Sequence, residues 1–184
     1  MNLLLDTQVW LWGFLAPRRL STRARDAMED PENALLFSAA SSWEISVKYA
    51  LKKLKLPEPP ARYVPTRLER GGFTPMSVEH AHALRVSELP RHHRDPFDRL
   101  LIAQAQLEGA TLATADPMFL LYDVDVLWGG AGEPPQAVHD ADGRRRKVAG
   151  SVDSNGVRQR TRSRSRTRRA ASRRSRASRG PEAK

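Results

Sequence analysis

The sequence predicts an α/β protein with a short parallel sheet, followed by a disordered basic tail. Short apolar runs alternate with helical patterns over residues 1–128, and this alternation is typical of parallel α/β sheets. Every Leu, Ile, Phe, Trp, Tyr and Met of the 184 residues lies in that segment. The charge divides at the same point, because residues 1–128 hold 15 Lys and Arg against 16 Asp and Glu, whereas residues 129–184 hold 16 against 5. We therefore expect one globular domain over 1–128 and a disordered Arg/Ser-rich tail over 129–184.

The first half of the globular segment is predicted to contain two strands and four helices. Ser21 suits the N-cap position of a helix, and Pro31 ends that helix. Ser41 or Ser42 is expected to cap the next one, which a run of prolines then stops. In chain order the elements are strand Asn2–Leu5, helix Val9–Leu15, helix Ser21–Asp30, strand Leu35–Ser38, a helix from Ser41 or Ser42 to about Lys53, and helix Ala61–Glu69.

The second half is predicted to contain three strands and three helices. Two consecutive glycines turn the chain into the first strand, Pro96 suits the first turn of the longest helix, and Gly109 closes that helix. In chain order the elements are strand Phe73–Met76, helix Val78–Glu88, helix Phe97–Glu108, strand Thr111–Thr114, helix Pro117–Leu121 and strand Val124–Leu127.

The composition excludes several classes of protein. The sequence has no cysteine, which excludes a disulfide framework, a thiolate zinc site and a cysteine nucleophile. No apolar run approaches the ~20 residues that span a bilayer. The apolar N-terminus is interrupted by Asp6 and lacks a basic segment before it, which argues against a signal peptide. We expect a cytoplasmic protein with no membrane partner.

Four carboxylates are predicted to meet at one edge of the sheet. Asp6 directly follows the first strand, and Asp116 follows strand Thr111–Thr114 after one residue. Glu44 and Asp98 are expected in the first turns of two helices that begin at the same edge. Ligands bind outside the carboxyl ends of the strands in parallel α/β sheets.

Such a cluster is consistent with a divalent cation, because four carboxylates at one place repel one another at neutral pH. Oxygen ligands suit Mg²⁺ or Mn²⁺, and such ions can activate water in phosphodiester cleavage. Taken one at a time, Glu44, Asp98 and Asp116 also fit simple helix-capping roles. The joint placement of the four acids favours a site.

Four short strings of the sequence carry a family pattern: NLLLDT at 2–7, SAASSWEI at 38–45, HHRDPFDRLLIAQA at 92–105 and TAD at 114–116. Together they resemble the PIN-domain family, and in particular its VapC-type toxin ribonucleases from bacterial toxin–antitoxin pairs. Their order along the chain makes the resemblance specific, and it covers residues 1–128.

The resemblance implies a three-layer α/β/α fold and a Mg²⁺- or Mn²⁺-dependent endoribonuclease. The acidic quartet of the family falls on Asp6, Glu44, Asp98 and Asp116, with Asp6 and Asp98 as the principal metal ligands. Thr7 and Thr114 are expected to orient ligands or water. The implied partners are an RNA substrate, a cognate antitoxin and a second copy of the chain in a homodimer.

Two other functions are alternatives to the endoribonuclease. A haloacid-dehalogenase-like phosphatase also carries Asp after its first strand, but its chemistry needs a second acid two residues on, where this chain has Gln8. A non-catalytic nucleic-acid-binding protein would use the basic tail, with the acids serving only as helix caps.

Several polar residues near the predicted site have less specific interpretations. His92 and His93 are interpreted as surface loop residues rather than metal ligands, and Asp95 as an extra ligand or a helix cap. Arg99 is expected to meet either a phosphate or a nearby carboxylate. A basic stripe follows Glu44 and either tracks RNA phosphates or forms a solvated helix face; it consists of Lys48, Lys52, Lys53 and Lys55.

The tail itself allows three interpretations. It is a nucleic-acid-binding arm, a flexible extension with no selected role, or the product of readthrough or frame drift at the end of a compact gene.

Overall fold

The computed structural model describes residues 1–139, 143, 145–147 and 157–158. Its main sheet has the strand order β3-β2-β1-β4-β5-β8. The first five are parallel, and β8 pairs antiparallel with β5. The strands are β1 Asn2–Leu5, β2 Ala34–Ser38, β3 Thr74–Met76, β4 Thr111–Thr114, β5 Val126–Trp128, β6 Ala137–His139, β7 Arg145–Lys147 and β8 Val157–Arg158. Strands β6 and β7 form a separate antiparallel pair.

Helices cover both faces of the sheet. They are α1 Thr7–Leu15, α2 Thr22–Glu29, α3 Ala39–Ala50, α4 Pro60–Arg70, α5 His80–Arg85 and α6 Pro96–Glu108, with 3-10 turns at Pro17–Arg19, Val86–Glu88 and Pro117–Leu121. Successive side chains of a strand point to opposite faces, so Leu3 and Leu5 lie in one core cluster and Leu4 in the other. The predicted three-layer α/β/α fold is confirmed.

The strand order reverses at the centre of the sheet. From β1 the chain passes outward to β2 and β3, and it then returns to the other side of β1 to form β4 and β5. Asp6 follows β1 directly, and its backbone N–H donates to the carbonyl oxygen of Ala113 in β4 at 3.0 Å. A parallel α/β sheet opens a crevice where its strand order reverses, and this reversal lies between β1 and β4.

Several predicted boundaries are wrong by a few residues. Helix α3 begins at Ala39, because Ser38 and not Ser41 or Ser42 is its N-cap, with the Ser38 Oγ accepting from the Ala40 N–H at 3.0 Å. The predicted helix Val78–Glu88 is the short α5 followed by a 3-10 turn. By contrast the Ser21 cap is confirmed, since its Oγ accepts from the Ala24 N–H at 3.0 Å.

Most of the predicted tail lies outside the described residues. Its first residues continue from the domain, since the N–H of Gly129 donates to the carbonyl oxygen of Thr114 at 2.7 Å and Gly130 forms a β-bridge with Leu20. The described parts of 129–184 include the short strands β6, β7 and β8. The division into a domain at 1–128 and a disordered tail therefore stays a prediction. Within the described ranges no helix combines the length and apolarity needed to cross a membrane.

Candidate active site

Asp6 forms the base of the candidate site, at the carboxyl end of the central strand β1. Its Oδ1 accepts the N–H of Gln8 at 3.0 Å and so caps α1, while its Oδ2 accepts the hydroxyl of Thr114 at 2.6 Å. The residue is only 5 % exposed. Burial raises the pKa of Asp6 to about 6, and the charges of Glu44 and Asp116 add to this effect against the lowering by the two hydrogen bonds. Asp6 is therefore held in place, but its carboxyl group loses its proton less readily than an exposed aspartate does.

Glu44 enters the same site from α3 and is 4 % exposed. The ammonium group of Lys48, one helical turn on, donates to its Oε1. Its Oε2 is buried and has no hydrogen-bond partner among the described residues. Because α3 begins earlier than predicted, Glu44 lies beyond the first turn, and an interpretation as a simple N-terminal charge does not apply to it. The buried, unpaired oxygen is a free acceptor on a residue that lines the cavity described below.

Asp98 comes from the first turn of α6. Burial raises the pKa of its carboxyl group to about 8, and the nearby Asp6 adds to the shift, while the charge of His93 acts against it. The pKa of Asp98 is thus raised by burial first and by the charges of neighbouring acids second.

Asp116 follows β4 and is ionised more easily than Asp6 and Asp98. Its Oδ1 accepts the N–H of Met118 at 2.8 Å, which caps a 3-10 turn, and its Oδ2 lies 3.1 Å from His93 Nε2. Burial alone would raise the pKa of Asp116, but the hydrogen bonds from His93 and Met118 outweigh burial and lower it. Asp116 thus combines a capping role with a place in the cluster.

His93 is the site residue that sequence reasoning missed. Its Nε2 lies 3.2 Å from Oδ2 of Asp98 and 3.1 Å from Oδ2 of Asp116, and its ring is largely buried. Its Nδ1 accepts the backbone N–H of Asp95 at 3.0 Å, so the neutral ring carries its proton on Nε2 and donates toward the acids. Burial lowers the pKa of His93, but the hydrogen bond to Asp116 and the neighbouring carboxylate charges raise it further than burial lowers it. The interpretation of His93 as a surface loop residue is wrong.

Two flanking residues hold the loop that carries His93. Asp95 is the N-cap of α6, with its Oδ1 accepting from the Phe97 N–H at 2.9 Å. Arg99 donates to the backbone carbonyl oxygens of Pro90, Val86 and Leu89 at 2.7, 2.7 and 3.1 Å. Among the described residues Arg99 forms no ion pair with a carboxylate, because its guanidinium group satisfies backbone acceptors of the loop instead. Its contact with a phosphate stays a prediction.

The two threonines occupy different positions. Thr114 is fully buried and contacts Asp6 as described, and its Oγ1 also accepts the Asp116 N–H at 3.0 Å. One hydroxyl therefore links two of the four acids. Thr7 is buried as well, but its hydroxyl has no hydrogen-bond partner within the part of the chain that the structure describes.

The four predicted acids line one open cavity of about 560 Å³. The whole lining comprises Asp6, Thr7, Gln8, Leu11, Trp12, Leu15, Ala16, Arg19, Glu44, Lys48, Lys53, Leu54, Asp95, Asp98 and Asp116. Three side chains of the described residues, those of His93, Asp98 and Asp116, offer ligand atoms that all lie within 4.8 Å of one another. The arrangement provides a carboxylate-rich donor set for a hard divalent cation.

Comparisons with known proteins agree with this fold. Residues 3–125 match the model of the family described as PIN domain. A stretch of 58 residues is 53% identical to Ribonuclease VapC16 of Mycobacterium tuberculosis, and the match covers 32% of this chain and 41% of that protein. The chain thus spans about two fifths of the length of that curated relative.

One solved structure with a similar fold is that of VapBC2 from Rickettsia felis bound to a DNA fragment from their promoter. The TM-score is 0.50 at 19% sequence identity, over 65% of this chain and 91% of that one. A likeness at this identity concerns the fold alone.

Proposed function

This chain belongs to the PIN domain family, and from that premise we propose that it is a metal-dependent endoribonuclease acting as the toxin of a toxin–antitoxin pair. The observation that carries the proposal is the meeting of Asp6, Glu44, Asp98 and Asp116 in one cavity at the point where the strand order reverses. The four acids come from separate parts of the chain. Helix capping explains the position of a single acid, but it does not explain why all four lie in one cavity. The 53% identity to a protein named as a ribonuclease supports the same activity.

The residues present fit a divalent cation. Glu44 Oε2 is a buried acceptor without a partner among the described residues. Burial, and to a smaller extent the neighbouring acids, raises the pKa of Asp6 and of Asp98, and a bound cation would offset both effects. We propose that Asp6 and Asp98 are the principal ligands of Mg²⁺ or Mn²⁺, with Glu44 and Asp116 completing the set. When bound, the ion would lower the pKa of a water molecule and stabilise negative charge on the phosphate oxygens.

The chain's own residues would then orient and neutralise this set. Thr114 fixes the Oδ2 of Asp6 and the backbone of Asp116, and His93 holds the facing oxygens of Asp98 and Asp116. The ammonium group of Lys48 forms an ion pair with Oε1 of Glu44 and leaves Oε2 for the ion. Hydrolysis forms a bond from water oxygen to phosphorus and breaks a phosphorus–oxygen ester bond. A carboxylate of the cluster would accept the proton that the water gives up, and the departing sugar oxygen would take up a proton and leave as a hydroxyl group.

The test is cleavage of labelled RNA by the purified full-length protein with Mg²⁺, with Mn²⁺ and with EDTA. Asp98→Asn removes one proposed ligand, and Asp26→Asn is a matched control because Asp26 is an exposed residue of α2 outside the cavity. We expect cleavage that needs metal, is lost in Asp98→Asn and is kept in Asp26→Asn. Equal cleavage by both variants, or none by well-folded wild-type protein across several RNA types, would contradict the proposal.

The proposed partners are RNA, a cognate antitoxin and a second copy of the chain, acting in the cytoplasm. An antitoxin is supported by the name VapC of the curated relative and by the VapBC2 assembly of similar fold. Expression of the chain alone should arrest cell growth, and the arrest should disappear in the Asp98→Asn variant. Light scattering of the purified protein tests the homodimer.

A further inference from the structure

The cavity that holds the acids continues along two helices. Helix α1 begins beside Asp6, and its residues Leu11, Trp12 and Leu15 line the cavity successively further along. At 1.5 Å per residue, Leu15 lies about 13 Å along the helix axis from Asp6. Helix α3 carries Glu44 near its middle, and Lys53 follows just beyond its end. The cavity therefore extends well past the carboxylates.

This second part of the cavity is lined by both cationic and apolar side chains. We call Arg19, which follows the end of α1, and Lys53 its cationic wall, and we call Leu11, Trp12 and Leu54 its apolar floor. The guanidinium carbon of Arg19 lies 4.3 Å from the centroid of the Trp12 ring, which holds the Arg19 side chain against the floor. A cationic wall over apolar side chains suits a ligand with both a negative charge and a flat apolar part.

The lysines of the basic stripe that follows Glu44 differ in their contacts. Lys48 is engaged by Glu44, and Lys55 does not line the cavity. Lys53 lines the cavity and is exposed, and its ammonium group forms no hydrogen bond or ion pair with any residue that the structure describes. The side chain of Arg19 likewise has only the Trp12 contact within the described ranges. Both cations are available to a ligand.

The residue just before Lys53 has a left-handed backbone conformation. Lys52 has a φ of 58° and is the one non-glycine residue with positive φ among those described. Its left-handed conformation ends α3, and the N–H groups of Lys53 and Leu54 both donate to the carbonyl oxygen of Lys48, at 2.8 and 3.1 Å. Leu54 then packs against the core. Such strain persists where the surrounding structure requires it, often at functional sites.

We propose that Arg19 and Lys53 bind a backbone phosphate of single-stranded RNA a few nucleotides from the bond that is cut, while the floor of Leu11, Trp12 and Leu54 takes up a ribose or base. The inference rests on the proposed function and adds a substrate-positioning role for residues outside the acidic cluster. A polyanion approaching five carboxylates in one cavity is repelled, and these two cations offset the repulsion at the distance of a neighbouring phosphate.

The test measures RNA affinity separately from cleavage. In the full chain carrying Asp98→Asn, the fluorescence anisotropy of a labelled single-stranded RNA is titrated over a range of KCl concentrations. The test variants are Lys53→Gln and Arg19→Gln, and Lys55→Gln is the matched control from the same exposed segment. Arg19→Lys keeps the charge, and thermal melts verify that each variant is folded.

We expect Lys53→Gln and Arg19→Gln to weaken binding about threefold to tenfold and to reduce the salt slope by about 0.7 each, as for the loss of one phosphate contact. Lys55→Gln should match the parent chain, and Arg19→Lys should keep most of the affinity. In the chain with Asp98 intact, the two test variants should raise KM for RNA and leave kcat within about twofold.

Equal behaviour of Lys53→Gln and Lys55→Gln would overturn the inference. So would unchanged RNA binding together with weaker retention of a bound protein partner, because this wall would then be a protein-binding surface. If the wild-type chain cuts no RNA with any metal but Lys53→Gln still lowers the salt slope, the positioning role stands and the proposed catalytic function fails. If the wild-type chain cuts RNA and both test variants have an unchanged KM, the proposed catalytic function stands and the positioning role fails.

Discussion

The hydroxyl of Thr114 donates a hydrogen bond of 2.6 Å to Oδ2 of Asp6, across a separation of 108 residues in the sequence. The same oxygen of Thr114 accepts the backbone N–H of Asp116 at 3.0 Å. One buried side chain therefore fixes an acid of β1 relative to the acid that follows β4. Neighbours that orient metal ligands in this way commonly affect metal affinity as much as ten- to a hundredfold.

Replacing Thr114 by Val should weaken Mn²⁺ binding by about tenfold with little change in fold. The hydrogen bond lowers the pKa of Asp6, so its loss makes this carboxylate harder to ionise and leaves only the Gln8 N–H to hold it. Calorimetric titration of Mn²⁺ into the protein measures the effect, and Thr114→Ser is the control that keeps the hydroxyl. Identical Mn²⁺ affinities in the two variants would show that the contact does not support metal binding.

The metal-free protein should lose stability as the pH rises from about 4 to about 8. Burial raises the pKa of Asp6 to about 6 and that of Asp98 to about 8, from an ordinary value of 3.8. Between those values the folded chain binds more protons than the unfolded chain, so the free energy of unfolding decreases with pH. Thermal melts in EDTA across this range measure the trend.

Asp98→Asn provides the matched variant for that experiment. It removes the most strongly perturbed carboxyl group, so at pH 8 the metal-free variant should melt roughly 3–6 °C above the metal-free wild type. Added Mn²⁺ should stabilise the wild type and not the variant. A metal-free variant that melts no higher than the wild type at pH 8 would contradict the view that the burial of an ionised Asp98 beside other acids destabilises the fold.

His93→Ala should destabilise the metal-free protein by roughly 3–6 °C in the melting temperature. The imidazole N–H lies between Asp98 and Asp116, and without it their facing oxygens repel each other directly. Mn²⁺ should reduce the deficit, because a cation takes over the neutralisation. His92→Ala serves as the control, since His92 packs against the Tyr122 ring; a deficit of the same size in both variants, with or without Mn²⁺, would refute this role for His93.

Lys52→Gly should stabilise the fold by about 0.5–1 kcal/mol. The φ of 58° at Lys52 is unfavourable for a residue with a Cβ atom and is readily adopted by glycine at a helix C-terminus. Urea denaturation measures the change, with Lys55→Gly as the control for simple loss of a lysine. If both substitutions destabilise the chain equally, the left-handed backbone at Lys52 is not strained.

The sequence was most informative where one local pattern determines the outcome. The apolar runs of β1 and β4 locate the strands, and the acids that follow them lie together because parallel strands end at one edge. The start of α3 was misplaced because Ser38 serves at once as the last residue of β2 and as the helix cap. Sequence patterns assign each residue to one element, so they do not predict a residue that both ends a strand and caps the next helix.

His93 was missed for a different reason. Its place depends on contacts from distant parts of the chain, since its backbone N–H donates to the hydroxyl of Tyr122 at 2.7 Å and its ring reaches Asp116. No periodicity marks a loop residue of this kind. The one signal in the sequence was its position two residues before Asp95, the capping residue of α6.

The reversal of strand order between β1 and β4 also governs when the site can form during synthesis. A ribosome that has just completed α6 has already made Asp6, Glu44 and Asp98, but β1 still lacks its neighbour on one side. Thr114 and Asp116 arrive with β4 and the turn after it, so the contact that orders Asp6 is among the last to be made. Contacts between residues so distant in sequence also form slowly. A nascent chain therefore carries three of the four acids before it can assemble the cavity, and the proposed nuclease gains its activity only when nearly the whole domain has been made.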